Sequence, residues 1–187
     1  MDTRFKLDNL IKGDMKYFED IYIKYYDKVY FIALSVLKNE QDSEDIAQEV
    51  FTQVYKSINS LDDVDKFNAW ISRIAVSKSI DSVRKKKRIN DKESYCDYEF
   101  HNVVSGEDIE SNIIKYERQK LILQLIQQLS HKKSRLLILF YYHELKINEI
   151  AEIIDCPVGT VKSRLNSAKK ELKTLLNNQD LQWYKSI

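Results

Sequence analysis

The chain has 187 residues, and its 30 Lys and Arg nearly balance 29 Asp and Glu, for a formal net charge of +1. That length holds one domain or two small ones, and 43% hydrophobic with 32% charged residues is too apolar for wholesale disorder. Three Gly and one Pro argue against barrels, sandwiches and glycine-looped βαβ units, and no uncharged apolar run reaches the ~18–20 residues of a membrane helix.

Residues 5–88 read as helical. Tyr17, Ile21, Tyr25 and Val29 recur at helical spacing and lead into Tyr30, Ala33, Leu34 and Leu37. After a break at residues 39–42, Asp42 or Ser43 is expected to cap a helix whose Ile46, Val50, Val54 and Ile58 repeat every four residues. A polar loop, 59–65, precedes a helix from about Lys66, which carries Phe67, Trp70, Ile71, Ile74 and Ala75 on one side and ends in Arg84-Lys85-Lys86-Lys87-Arg88. Trp70 is read as core. Residues 89–116 lack periodicity and are expected to be a flexible acidic linker. A second helical unit, 117–176, includes Leu121, Leu125, Leu129, Leu136, Leu137, Phe140 and Tyr141. The tail, 177–187, carries Trp183 and Tyr184 with no assigned role. The expected fold is all-α: two small helical domains on a tether.

The net charge hides segregation. Residues 84–88 sum to +5, residues 89–117 to −6 and residues 160–174 to +4. Basic patches of this kind attract phosphate backbones. Cys96 and Cys156 have no C-x-x-C spacing, so no disulfide framework is expected, and Cys156 is read as a small buried apolar residue. His101, His131 and His143 share no metal-ligand spacing with the cysteines, and the chain has neither a glycine-rich phosphate loop nor an H-E-x-x-H motif. No catalytic residue, metal or cofactor is expected. The first residues are not followed by the apolar stretch of a signal peptide, so a cytoplasmic location is expected.

The segment 147–172 has the pattern of a helix-turn-helix. Ile147, Ile150, Ala151, Ile153 and Ile154 make a short helix, with small Ala151 allowing close approach of the next, and Asp155-Cys156-Pro157 makes the break. Projected at 100° per residue, Val161, Leu165, Ala168, Leu172 and Leu175 form one stripe of the following helix. Ser163, Asn166, Ser167 and Lys170 lie opposite, with Lys162 and Arg164 on the flanks. Small hydrogen-bonding residues between basic flanks suit a helix in a major groove. From periodicity alone, the same face also fits the solvated side of a helical hairpin.

The run from Ile150 to Leu165 resembles region 4 of the extracytoplasmic-function (ECF) sigma factors, the small members of the sigma-70 family. Residues 42–51, Asp-Ser-Glu-Asp-Ile-Ala-Gln-Glu-Val-Phe, resemble their region 2.2. Residues 67–75 with 81–86 resemble their regions 2.3 and 2.4. Two such regions in this order, separated by a linker, are far more specific than one helix-turn-helix. The resemblance implies region 2 over 5–88 and region 4 over 117–176, and a protein that binds core RNA polymerase and directs promoter-specific initiation without catalysing a reaction.

It also implies roles for residues. Asp45, Gln48 and Glu49 would face the polymerase. Asn59, Ser60, Asp62, Lys66, Arg73, Ser77, Arg84 and Lys85 would serve the −10 element, where family members capture a flipped base from single-stranded DNA. Thr160, Lys162, Ser163, Arg164, Asn166, Ser167 and Lys169 would take the duplex −35 element. The chain departs from the family in two places. Many members have Asn where Ser77 follows Arg73-Ile74-Ala75-Val76, which removes an amide's paired donor and acceptor. Members also often carry Arg or an aromatic at the positions of Asn166 and Ser167. An anti-sigma factor is the further partner implied, with no insertion into a membrane. The alternatives are a two-domain helix-turn-helix regulator that binds duplex DNA without joining the polymerase, an enzyme, and a protein-interaction module.

Overall fold

The computed structural model describes residues 3–90 and 121–178. Among these every regular element is helical. The first group comprises α1 (Thr3–Ile11), α2 (Phe18–Leu37), α3 (Glu40–Ser57) and α4 (Phe67–Asn90). The second comprises α5 (residues 121–128), α6 (His131–Leu137), α7 (Ile147–Ile153) and α8 (Val158–Asn178). The expected linker of 89–116 lies outside the described residues except for residues 89 and 90, which still belong to α4. Most of the tail, including Trp183 and Tyr184, also lies outside them, as does Cys96.

Helices α2, α3 and α4 pack on one another around Ile21, Val29, Val50, Val54, Phe67 and Ile71, all essentially buried. Side chains repeating at three and four residues supply each helix with one apolar stripe. Their burial is the main favourable term, about 25 cal/mol per Å² of apolar surface removed from water. Trp70 is half-buried at the edge of this core, 5.9 Å from the Phe67 ring, so its indole is less enclosed than expected.

Helix α3 is capped three or four residues earlier than its sequence suggests. Asn39, not Asp42 or Ser43, is the cap: its side-chain oxygen accepts the Asp42 N–H at 2.9 Å, and Ser43 is buried. An extended Asn39 satisfies one of the four orphan donors, leaving Glu40 and Asp42 in the first turn beside the positive end of the dipole. Lys38, at φ 55, makes the left-handed turn between α2 and α3.

Helix α6 runs into one turn of π-helix, Ile138–Tyr142, closed by the His143 N–H on the Ile138 carbonyl. The added residue rotates all that follows around the helix axis. Glu144, at φ 56, then stops the helix. Tyr141 is thereby left 55% exposed.

The two groups do not stand apart. Helix α2 packs on α6 and on the π-turn, and α4 packs on α7. Leu129, Leu136, Leu137, Leu139 and Ile150 join the same buried cluster as Val29, Ile32 and Ile71. The Phe31 and Tyr142 rings meet edge to face at 5.3 Å across this seam. Two helical bodies are present, as their sequence patterns predict; that they pack on each other was not predicted.

Candidate nucleic-acid and polymerase interface

Helix α7 starts with the Lys146 N–H donated to the Glu149 carboxylate at 2.7 Å, and it ends at Ile154. Asp155 follows at φ 50, and the Cys156 N–H reaches back to the Ala151 carbonyl at 3.0 Å. This is the left-handed stop in which the second residue beyond the cap returns to the last turn. Pro157 has no N–H to leave unpaired, and its carbonyl takes the Val161 N–H as α8 begins. Cys156 is half-buried and is a free thiol. Its sulfur lies 3.4 Å from an Arg164 N–H, so it is less enclosed than expected.

Ala151 at 7% exposure, with Val161, Leu165 and Ala168 fully buried, locks α8 against α7. Leu172 and Leu175 continue the stripe half-buried. The opposite face presents Lys162, Ser163, Arg164, Asn166, Ser167 and Lys170, all exposed. Thr160 is half-buried, and its carbonyl accepts the Ser163 hydroxyl at 3.0 Å. Lys169 departs from the rest. Its ammonium sits 4.8 Å from the centre of the Phe140 ring and 5.2 Å from that of Tyr141. Both rings attract the cation and draw it off the exposed face.

Asn59 and Ser60 lie exposed in a single 3₁₀ turn, Ile58–Ser60, and Asp62 is exposed in the loop after it. Lys66 closes a second such turn, Val64–Lys66, opened by the Asp63 side chain on the Asp65 N–H. Arg73 and Ser77 are exposed one turn apart on α4. Arg84 and Lys85 extend that helix into its basic end, with Arg84 3.4 Å from Asp81. The −10 set therefore forms a track from the loop along α4.

Asp45, Gln48 and Glu49 project from the wet side of α3. Glu49 pairs with Lys78 of α4 at 3.2 Å, and Asp42 pairs with Lys86. Both pairs are largely exposed and worth at most about 1 kcal/mol each.

Residues outside these sets tie the helical groups together. His143 is fully buried. Its Nε2–H donates to the Lys28 carbonyl of α2, and its Nδ1 meets the Ser72 hydroxyl of α4, both at 2.9 Å. Its own carbonyl accepts the Asn68 amide. Burial drives the imidazole pKa down to about 4, and the nearby Lys28 ammonium pushes the same way, against the hydrogen bond to the Lys28 carbonyl. Lys38 reaches from the end of α2 to the Gln127 carbonyl and side-chain oxygen, and lies 3.4 Å from Ser134 Oγ. Burial lowers its pKa to about 8. A single histidine in a helical stretch gives no pattern to find, and the π-turn that aims it inward is invisible to periodicity.

Near the α4–α7 contact, Arg73 of the −10 set lies 3.4 Å from Glu152 of α7. Helix α8 keeps its polar face open while this contact is made. Among the described residues no group of His, Cys, Asp or Glu is arranged to hold a metal ion, and no helix is long and apolar enough to cross a membrane.

Comparison with known proteins gives these two bodies their kinship. The family model for Sigma-70 region 2 matches residues 21–89, and that for Sigma-70 region 4 matches residues 119–172. The ECF RNA polymerase sigma factor SigW of Bacillus subtilis (strain 168) is 35% identical over 188 residues, covering 95% of this chain and 98% of that one. The RNA polymerase sigma-H factor of Pseudomonas aeruginosa is 27% identical over 176 residues, with 91% of each chain covered. Among solved structures, the sigma factor RpoE bound to the anti-sigma factor NepR from Bartonella quintana superposes with a TM-score of 0.66 at 19% identity, covering 86% of this chain and 96% of that one. CnrH in complex with the cytosolic domain of CnrY gives 0.59 at 18% identity, over 94% and 97%. These structural likenesses carry the fold, while the family models and the near full-length SigW match carry the kinship. With region 2 in the first helical group and region 4 in the second, the chain belongs to the ECF sigma factors of the sigma-70 family.

Proposed function

We propose that this sigma factor docks on core RNA polymerase through the acidic side of α3, with Asp45, Gln48 and Glu49, and aims the enzyme at promoters with two DNA-binding bodies. Region 2 extends over 5–88 and region 4 over 117–176, with residues 89–116 as the acidic tether between them. The −10 element falls to Asn59, Ser60, Asp62 and Lys66 before α4, and to Arg73, Ser77, Arg84 and Lys85 along it. The −35 element falls to α8, with Lys162, Ser163, Asn166 and Ser167 toward the groove and Thr160 and Arg164 toward phosphates, while Lys169 would have to leave the Phe140 and Tyr141 rings to join them. The chain catalyses no reaction itself. It works in the cytoplasm, where polymerase and promoter lie, and an anti-sigma factor restrains it.

The observation that carries this reading is the rigid seat of α8. Buried Val161, Leu165 and Ala168 fix the helix while Lys162, Ser163, Asn166 and Ser167 stay exposed on its far side. Hydrogen-bonding side chains on a rigid element read base edges with least loss of conformational entropy. Run-off transcription with purified core enzyme tests the reading. The chain alone should direct start-site-specific transcripts. A chain that binds duplex DNA but needs another sigma factor to initiate would instead be a helix-turn-helix regulator.

A further inference from the structure

We propose that Arg135 of α6 joins Arg164 of α8 in a two-guanidinium clamp on one backbone phosphate of the −35 duplex. Nothing in the sequence pattern gives Arg135 a role, and the inference rests on the assignment of α8 to that duplex.

Three buried polar atoms lack a hydrogen-bond partner among the described residues: the seam atoms Asn68 Oδ1 and Gln127 Nε2, and Arg135 Nε. Arg135 is half-buried at the end of α6. Among the described residues no carboxylate comes within ion-pair reach of it, and Glu171, an acid of α8 that faces α6, is taken by Lys133. Burial pushes the Arg135 pKa down, and the Arg164 guanidinium pushes the same way, against a smaller opposite pull from Cys156. A lysine so placed could shed its proton, but a guanidinium cannot. The cost of a poorly hydrated cation beside a like charge therefore stands until an anion arrives. Arg164 is no better matched, since its Nη1 donates to the Cys156 sulfur at 3.4 Å, a weak acceptor.

The place of the pair says which anion it takes. Helix α6 packs against α8, so Arg135 stands beside the flank of α8 that carries Arg164. A helix seated in a major groove about 12 Å wide has a phosphate strand on each side. The strand on the Arg164 flank passes the end of α6. Two planar forks meeting there suit a phosphate, which accepts on several oxygens at once. Such a contact fixes the position of α8 along the duplex and carries no sequence information.

The test uses holoenzyme, core polymerase reconstituted with the full chain, on a promoter duplex titrated with salt. Each phosphate contact contributes about −0.9 to the slope of log affinity against log salt. Arg135→Gln should flatten the slope by about one and weaken binding roughly eightfold at 0.1 M salt, with the gap closing toward 1 M. Its preference for the −35 sequence over a scrambled one should not change. Arg135→Lys, which keeps the charge, should keep most of the slope. Arg135→Gln combined with Arg164→Gln should flatten it no further than either variant alone, because one phosphate is shared. An unchanged slope in Arg135→Gln, or a loss of about two in the double variant, would overturn the clamp. The free Arg135→Gln chain should unfold at the same or a higher urea concentration, since a poorly matched cation is gone. A lower midpoint with a salt-independent loss of affinity would make Arg135 a structural residue and overturn the clamp as well. A wild-type holoenzyme indifferent to the −35 sequence would instead sink the assignment of α8.

Discussion

Acidification should strain the molecule at one residue. In the packed state the His143 pKa is about 4 against an ordinary 6.5, chiefly because burial penalises the charged ring. The group is a base whose packed-state pKa is depressed, so its contribution is intact above pH 6.5 and is lost as pH falls from there toward 4. The full shift corresponds to about 3 kcal/mol, of which about 2 kcal/mol is expressed by pH 5. The charge that bears on the ring is the Lys28 ammonium, which disfavours an imidazolium. The assay compares wild type with His143→Gln, a neutral side chain able to donate to the Lys28 carbonyl and accept from Ser72. Between pH 7.5 and pH 5 wild type should lose about 2 kcal/mol more than the variant, a further fall in Tm of about 4–8 °C for a chain of this size. Carbon-detected NMR of the imidazole gives the same quantity directly. Equal losses in both proteins, or a His143 titration near 6.5, would refute the reasoning.

Ile150 is fully buried between α7 and its neighbours, so Ile150→Ala should cost about 2–5 kcal/mol, seen as a lower midpoint in urea. Lys38 is also a base with a depressed pKa, so wild type should gain stability relative to Lys38→Met as pH rises from 8 through 10.5, measured by chemical denaturation at each pH. Asn166→Ala and Lys162→Ala should each weaken binding to a −35 duplex, by roughly 1–3 kcal/mol if the contact is to a base edge. A salt titration separates the roles, because a phosphate contact reduces the slope of log affinity against log salt by about one, and a base contact does not.

Helix positions were legible because burial imposes a period. The repeat Ile46, Val50, Val54 and Ile58 and the stripe Val161, Leu165 and Ala168 are buried as the sequence predicts. The turn of the helix-turn-helix was legible because proline and a left-handed stop have few sequence solutions. Caps were less so. Asn39, Asp42 and Ser43 can all cap, and the choice depended on which backbone entered the helix extended. The seam was not legible at all. Its polar members, Lys38, Asn68, Ser72 and His143, are types that normally face water, and only Asn68 and Ser72, one turn apart on α4, are near each other in sequence. The π-turn compounds this, since one added residue shifts the phase by 100° and places His143 where an uninterrupted helix would not.

That illegibility has a physical content. Within each helical group the buried residues are almost all aliphatic or aromatic, as a permanent core requires. Polar residues concentrate where the groups meet: His143 and Ser72 at one end of the seam, Lys38, Gln127 and Ser134 at the other. An all-apolar seam of the same extent would add to stability at about 25 cal/mol per Å² with nothing to offset it, and would fuse the two bodies into one domain. Each orphaned amide atom in the seam instead costs about 1–3 kcal/mol, and the buried lysine adds its own desolvation cost. Apolar contacts such as that of Phe31 with Tyr142 hold the seam together, and these polar costs reduce its net stability.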